Sequence, residues 1–389
     1  MNWLKGLISL LLVSLLIGCS GGGVSGLFTE QEKNFVYGLF KSEYLWYDEV
    51  AEDVDLSSYS EPQALVEALR VTPPDKWSFS MTVKEYNDYS NQASSGFGFG
   101  YFIKNFQIYF VRVESPVYDK LKRGDKILKI DNKDVTEELI KTASKNEGVE
   151  SIFHVDRAGV KLDIAVTPIV YSYKVALAKV INHGSKKIGY LRYDAFTSSS
   201  TTEIESAFSK FHTAGVDELV IDLRYNHGGS VLTAGVLLDN ITNAYLGERQ
   251  IYLDWNKNYK IFNSTYYFDT QTDGNELDMS RVFFLTTGSS ASASELVISA
   301  LKPYLGESNI ITIGEATAGK PVGMSSKVFG LNYYFLINFV VRNDAGVMSS
   351  FDGIDATCSA DDDLTHQRGD TQESMLSVAI SYIDNDKCP

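Results

Sequence analysis

Cysteine is scarce in this 389-residue chain, with three in all, and histidine nearly so, with five. None falls at the paired spacing that a tetrahedral metal site needs, so no zinc-type centre is expected. Basic residues are outnumbered as well: 35 Lys and Arg stand against 50 Asp and Glu. The resulting formal charge of −15 argues against nucleic acid as a partner and gives weak repulsion from anionic surfaces. No low-complexity tract or internal repeat stands out. The one sustained apolar run near the N-terminus, Leu7 to Ile17, is too short for a comfortable membrane span. What is plentiful is apolar content, 44% of residues, enough for sizeable cores in more than one domain.

The short apolar run reads instead as the centre of an export signal, with charge supplied between Met1 and Lys5 and Leu16-Ile-Gly-Cys19 closing it. Those last four residues resemble a bacterial lipobox, which implies a signal peptide over 1–18 and lipid on the Cys19 sulfur. Residues 19–26, rich in glycine and serine, then form a flexible tether. A plain secretory signal with an incidental cysteine is the alternative. In both cases the mature chain leaves the cytoplasm for the cell envelope. A lipid anchor rather than a basic patch would hold it at a membrane, and Ser20 after Cys19 favours the outer membrane, facing the periplasm, under an enterobacterial-type sorting pattern. Setting Cys19 aside leaves Cys358 and Cys388. In an oxidising compartment a disulfide between them is expected, worth about 3 kcal/mol by chain entropy, with two separate thiols as the alternative.

Chemistry concentrates in Gly288-Ser-Ser-Ala-Ser-Ala-Ser-Glu-Leu296. Ser290, Ser292 and Ser294 alternate with alanines just before Leu296, Val297, Ala300, Leu301 and Tyr304, which recur at helical spacing. Hydroxyls therefore crowd a helix N-terminus, where free N–H groups and the helix dipole can stabilise an oxyanion. Capping accounts for one serine and not for three. A serine hydroxyl needs a base, and a buried lysine can serve. Lys320 ends Gly314-Glu-Ala-Thr-Ala-Gly-Lys320, after the apolar Ile311-Thr-Ile313. Taken alone, a Gly-Lys pair is a solvated turn.

Together these segments resemble the C-terminal processing (tail-specific) peptidases, serine peptidases with a Ser-Lys catalytic pair. The family's S-A-S-A-S-E stretch matches Ser290 to Glu295, which places the nucleophile on Ser292, and its T-x-G-K stretch places the general base on Lys320. A third signature, Val220-Ile-Asp-Leu-Arg-Tyr-Asn-His-Gly-Gly229, is similar to I-D-L-R-x-N-x-G-G and implies an oxyanion hole from Gly229, with Gly228, and the amide of Ala293. No metal or organic cofactor is implied. Two departures stand out, because the positions where the family orients its lysine hold Pro303 and Met324. Glu295, one turn from Ser292, either helps, caps the helix or pairs with Arg224. Val220 to Leu223 also reads as a buried strand and Arg224 as a structural ion-pair partner, while His227, a lone histidine in a turn, reads as solvated. No G-x-S-x-G elbow surrounds Ser292, which disfavours an α/β-hydrolase.

Upstream, Thr29-x-x-Glu32 is a capping-box pattern and Ser60 to Arg70 a second helix, so 27–92 forms a helical N-terminal region. Asp75-Lys-Trp-Ser78 resembles a recurrent family segment and carries no assigned chemistry. Residues 93–168 turn to strand patterns and resemble a PDZ domain, through Gly96-Phe-Gly-Phe99 at the carboxylate-binding loop and Arg123-Gly-Asp125 before Lys126 to Ile130. That resemblance implies that Gly96, Phe97, Gly98 and Phe99 bind a peptide terminus, with the amides of Gly98 and Phe99 on its carboxylate and the peptide added as a strand. The alternative is a regulatory or packing module that binds no peptide. From 169 to 389 strand and helix signals alternate, which gives an α/β fold, and the family resemblance implies a ClpP/crotonase-like core. The expectation is an exported, lipid-anchored serine endopeptidase that engages polypeptides near their C-termini. Against it stand a catalytically silent, peptide-binding envelope lipoprotein and, further off, an esterase or other acyl-transfer enzyme.

Overall fold

The computed structural model describes residues 28–269, 274–347 and 350–389, so the signal peptide, Cys19 and the tether lie outside the described residues. The fold is mixed α/β. Its central sheet orders six strands as Ala176–His183, Lys186–Tyr193, Glu218–Asp222, Val282–Thr286, Ile310–Gly314 and Cys358–Ser359. The first pair is antiparallel and the others run parallel. Parallel neighbours need crossovers; helices Thr201–Ala214, Val231–Ile241 and Ala293–Leu305 lie in the first three, and the last, to Cys358–Ser359, runs through strands Val322–Phe329 and Asn332–Asn343. Successive strand residues point to opposite faces. Ile221, Phe284 and Ile310 pack with the three helices, whereas Val220, Phe283 and Ile311 pack with helix Ser374–Asn385 on the other side. Covering both faces is why Glu218–Asp222, Val282–Thr286 and Ile310–Gly314 are buried at every position.

The N-terminal helices cap a second, antiparallel sheet. Helix Glu30–Ser42 begins where Thr29 accepts from the Glu32 N–H at 3.2 Å, but the capping box expected there is only half made. Glu32 turns its carboxylate inward instead, accepting from Tyr334 Oη at 2.6 Å and Asn332 Nδ2 at 2.9 Å. Those partners sit on the long strand Asn332–Asn343, which pairs with Phe79–Thr82, Val322–Phe329 and Arg249–Trp255. Its run from Tyr333 to Val341 lacks alternation, so period alone does not separate it from a buried helix. Helix Pro62–Leu69, with Pro62 in its first turn, adds Leu65 and Val66 to the same core.

Strands Ala93–Gly96 and Ile169–Ser172 pair antiparallel and bracket a β-rich module. Its main strands are Phe99–Phe102, Gln107–Val111, Lys126–Ile130, Ser151–Arg157 and Val160–Val166, packed around Phe97, Ile108, Ile127 and Phe153. Helix Glu137–Lys145, which the strand pattern does not announce, is capped by Thr136 accepting from Leu139 N–H at 3.0 Å.

Arg123 ties this module to the core. It donates to Tyr225 Oη at 2.8 Å, to the His366 carbonyl at 3.1 Å and to the Asp362 carboxylate. Asp362 also accepts from Arg224 at 3.0 Å. Arg224 is fully buried and reaches Asp222 at 2.7 Å and Glu373 at 2.7 Å, the latter capping helix Ser374–Asn385. Burial pushes the Asp222 carboxyl up, yet Arg224 and Arg368 hold it well below its ordinary range. A disulfide joins Cys358 to Cys388 and fastens the C-terminal helix to the edge of the central sheet. Arg224→Met strands Asp222 and Glu373 as buried charges, so chemical denaturation is expected to show a loss of about 3–5 kcal/mol. An unchanged midpoint contradicts this account of the network.

Candidate active site

The buried strand Val282–Thr286 feeds a tight turn and then helix Ala293–Leu305. Two of the three alternating serines build that turn. Ser290 Oγ accepts from Thr287 N–H at 3.1 Å and donates to the Leu223 carbonyl at 2.8 Å, while Ser294 Oγ donates to the Asn226 carbonyl at 3.0 Å. Both are fully buried. Ser292 is half-buried and lines a cleft of about 680 Å³. Its backbone sits at φ 58°, ψ −113°, a sparsely populated conformation for an L-residue that costs about 1–3 kcal/mol and persists only where the surroundings over-determine it.

Glu295 does much of that over-determining. Its carboxylate is 1% exposed and accepts from Ser292 N–H at 2.9 Å, Lys320 N–H at 2.9 Å, Gly319 N–H at 2.8 Å and Thr317 Oγ1 at 2.6 Å. One carboxylate thus fastens the Ser292 backbone to the Lys320 backbone. Pairing with Arg224, one of the options open from sequence, does not occur, since Arg224 is engaged by Asp222, Asp362 and Glu373. Lys320 Nζ points into the same cleft, where its hydrogen-bond partner is the weak acceptor Met324 Sδ at 3.9 Å. Burial pushes the Lys320 ammonium down to about 8, against the opposing pull of the Asp75 and Glu295 charges.

The turn after strand Glu218–Asp222 packs directly on the segment Ala291 to Ala293. Gly228 has φ 95°, and a Cβ there would lie 2.8 Å from Ser292 Cβ and 2.9 Å from Ala293 N, so no larger residue fits. Gly228 does not serve as the oxyanion donor expected from sequence, because its N–H is taken by Asn226 Oδ1 at 2.8 Å. The N–H groups of Gly229 and Ala293 have no acceptor among the described residues and flank Ser292. His227 lines the cleft, and its pKa is lowered by desolvation and by the Lys320 charge.

Sequence patterns missed the contribution of Asp75 to Ser78. Asp75 is fully buried and accepts from Tyr44 Oη at 2.7 Å, Trp77 N–H at 2.8 Å and Ser78 N–H at 3.0 Å. Its charge acts on Lys320, and Lys76 and Trp77 form cleft wall. An Asp followed at two and three residues by amides it can accept from is a local turn signal that marks such a site. Gly96 to Phe99 do not line the cleft: Gly96 lies against Ser144, and Gly98 against Ser115 and Tyr171. Among the described residues no group of three or more His, Cys, Asp or Glu side chains could hold a metal ion, and no helix is long and apolar enough to cross a membrane.

A strained serine at a helix N-terminus, a lysine of lowered pKa in the same cleft and two free amides give the site a hydroxyl, a group able to take its proton and donors able to hold an oxyanion. Residues 187–341 match Peptidase family S41, and residues 31–79 match the Peptidase S41 N-terminal domain. The chain belongs to this family of serine peptidases. It is 25% identical over 325 residues to a CtpA-like serine protease assigned in Staphylococcus aureus, covering 79% of this chain and 60% of that protein. To the carboxy-terminal-processing protease of Bartonella bacilliformis it is 23% identical over 356 residues, covering 82% and 77%. The chain spans 55% to 60% of the length of the staphylococcal relatives. In fold it is similar to a Bacteroides fragilis protein assigned as an S41 protease, with a TM-score of 0.77 at 22% identity over 91% of this chain and 97% of that one. The photosystem II D1 C-terminal processing protease aligns with a TM-score of 0.54 at 16% identity, over 90% and 97%.

Glu295→Gln keeps the shape but replaces one acceptor oxygen with a donor. With the amide turned toward Thr317, whose hydroxyl can reverse, the Gly319 N–H is still orphaned, which costs about 1–3 kcal/mol. Urea denaturation measures this, and parental stability in the variant contradicts the assigned role.

Proposed function

We propose that the protein is a serine endopeptidase working through Ser292 and Lys320 on polypeptides engaged near their C-termini. The observation that carries the reading is the Glu295 carboxylate, which ties the backbones of both residues beside a shared cleft. Neutral Lys320 takes the Ser292 proton as Oγ attacks the scissile carbonyl, then returns it to the leaving amine; in deacylation it activates water in the same way. The N–H groups of Gly229 and Ala293 stabilise the tetrahedral oxyanion. Beside Ser292 opens a recess of about 50 Å³ walled by Val231, Leu296, Val322, Phe339 and Val341, sized for a small apolar side chain next to the scissile bond.

Three finer features belong to the same reading. The parallel strands with crossover helices support a ClpP/crotonase-like core. The module of residues 93–168 acts as a PDZ domain, its positive-φ Gly96 and Gly98 shaping a loop of amides for a peptide terminus. The lipobox-like Leu16-Ile-Gly-Cys19 supports export with lipid on Cys19, and with it a location in the cell envelope, on the outer membrane facing the periplasm. The silent peptide-binding reading is motivated by Lys320, which has a thioether rather than a carboxylate or amide to orient it.

The soluble form lacking residues 1–19 is expected to cleave an unfolded protein with an apolar C-terminal tail, and Ser292→Ala and Lys320→Ala to reduce the rate by about 10³-fold or more. Because the base works unprotonated and its pKa lies at about 8, kcat/KM rises with pH through that value. Fragments followed by mass spectrometry across pH 6–10 check both points. Binding of the tail with no cleavage by the parent moves the function to the silent reading.

A further inference from the structure

Two of the large apolar side chains exposed on this protein stand together at the tip of one hairpin. Strands Val322–Phe329 and Asn332–Asn343 pair as far as Phe329 opposite Asn332, which leaves Gly330-Leu331 as a two-residue turn. Gly330 supplies the positive φ, 55°, that such a turn needs. Turn tips favour Gly, Asn, Asp and Ser, which combine the required backbone angles with a wettable surface. This tip instead holds Leu331, 65% exposed, beside Val328, 51% exposed. The Leu331 carbonyl accepts from Val83 N–H at 2.8 Å, so the turn is pinned with its leucine held out from the core.

The tip sits against the start of helix Glu30–Ser42. Asn332 and Tyr334 donate to Glu32 in the first turn of that helix, the Phe35 ring lies 5.1 Å from that of Phe329, and Phe28 packs into the same core. From Cys19 to Phe28 is nine residue steps, a stretch that spans at most about 32 Å. On the lipoprotein reading, on which this inference rests, acyl chains at Cys19 hold the hairpin tip within that distance of the bilayer surface. A second exposed apolar loop, with Ile261 and Phe262, is fastened at the other end of the same helix, where Asn256 donates to the carbonyls of Ser42, Glu43 and Tyr44. Attraction by charge does not favour the contact, since the formal charge is −15 and the lysines around the tip are paired, Lys33 with Glu30, Lys84 with Asp88 and Lys327 with Glu43. The tip therefore fits an apolar phase rather than an anionic headgroup.

We propose that Val328 and Leu331 form a docking tip that inserts into the interfacial layer of the phospholipid bilayer to which the chain is anchored, and so fixes the orientation of the enzyme on that surface. Two side chains are too few to hold a free protein on lipid. The tether changes this by raising the effective concentration of the tip at the surface to about millimolar. Val322 lines the recess beside Ser292, and the seven steps from Val322 to Phe329 rise about 23 Å along the strand. A docked tip keeps the cleft that close to the lipid, in reach of polypeptides that emerge from the membrane or lie on it.

The test uses residues 19–389 coupled through the Cys19 thiol to a maleimide lipid in vesicles of zwitterionic phosphatidylcholine. Cys358 and Cys388 are joined to each other, so Cys19 is the thiol that reacts. Leu331→Trp, and Val160→Trp at the exposed hairpin of the β-rich module as a control, report contact with lipid through quenching by brominated acyl chains, after subtraction of the parent's own tryptophans. The Leu331→Trp reporter is expected to lose about half or more of its added emission, as at the depth of about 5–10 Å reached by an interfacial apolar face, and the control to lose little. Adding Val328→Asp should bring quenching of the Leu331→Trp reporter down to that of the control, and the same reporter in the chain lacking residues 1–19 should not be quenched at all. Equal quenching of both reporters, or quenching of neither, overturns the proposal. Shielding of the Leu331→Trp reporter from aqueous iodide that grows with protein concentration and needs no lipid assigns the tip to a second copy of the chain and overturns it as well. Failure of the lipoprotein reading shows separately, as an N-terminal peptide without acyl chains in the mass spectrum of the chain exported from a bacterial host.

Discussion

A single buried carboxylate organises the site. Glu295 takes donors from the Ser292 amide and from three groups of the Thr317–Lys320 turn, and the three backbone amides among them have no other acceptor among the described residues. Its position in the first turn of helix Ala293–Leu305 lets it reach back to Ser292 while the helix body is locked into the core by Leu296, Val297 and Leu301. The relative placement of Ser292 and Lys320 is thereby set through main chain. Side-chain orientation of the lysine, for which Pro303 and Met324 offer little, carries less of the burden.

Two buried clusters show opposite electrostatic economies. Around Arg224 every charge is answered, by Asp222, Asp362 and Glu373, and the result is a rigid junction between the central sheet, the C-terminal helix and the module reached through Arg123. Around Lys320 the charge is left poorly answered, with a thioether at 3.9 Å, and the ammonium is correspondingly easy to deprotonate. The tight cluster and the loose one are joined through the short segment from Arg224 to Gly229, which turns at Tyr225 with φ 64° and again at Gly228. Rigidity on one side of that segment holds the amides that face the reactive side.

Local signals were legible where chemistry and secondary structure coincide. Helical spacing after Ala293 put hydroxyls at a helix start, and the family likeness of Ser290 to Glu295 and Thr317 to Lys320 singled out Ser292 and Lys320. What separates Ser292 from Ser290 and Ser294 physically is that the latter two bond to Leu223 and Asn226, contacts across more than sixty residues that no local pattern encodes. The engagement of Gly228 by Asn226 is local, an Asn accepting two residues ahead, and a closer reading of Asn226-His-Gly228 as an Asx turn anticipates it. Glu32 escaped because its partner Tyr334 arrives from the far end of the chain, and what no local pattern encodes for Asp75 is the action of its charge on the distant Lys320. The strand Asn332–Asn343 escaped because it is buried along much of its length and shows no period of two.

The most direct measurement is a titration of Lys320 itself, by NMR of the chain carrying carbon-labelled lysine, with Lys320→Met to assign the resonance. The account predicts an ammonium that loses its proton at about 8, well below an exposed lysine at about 10.4. A Lys320 resonance titrating with the exposed lysines contradicts the account, because the unprotonated fraction able to take the proton from Ser292 at neutral pH would then be smaller by about 10²-fold.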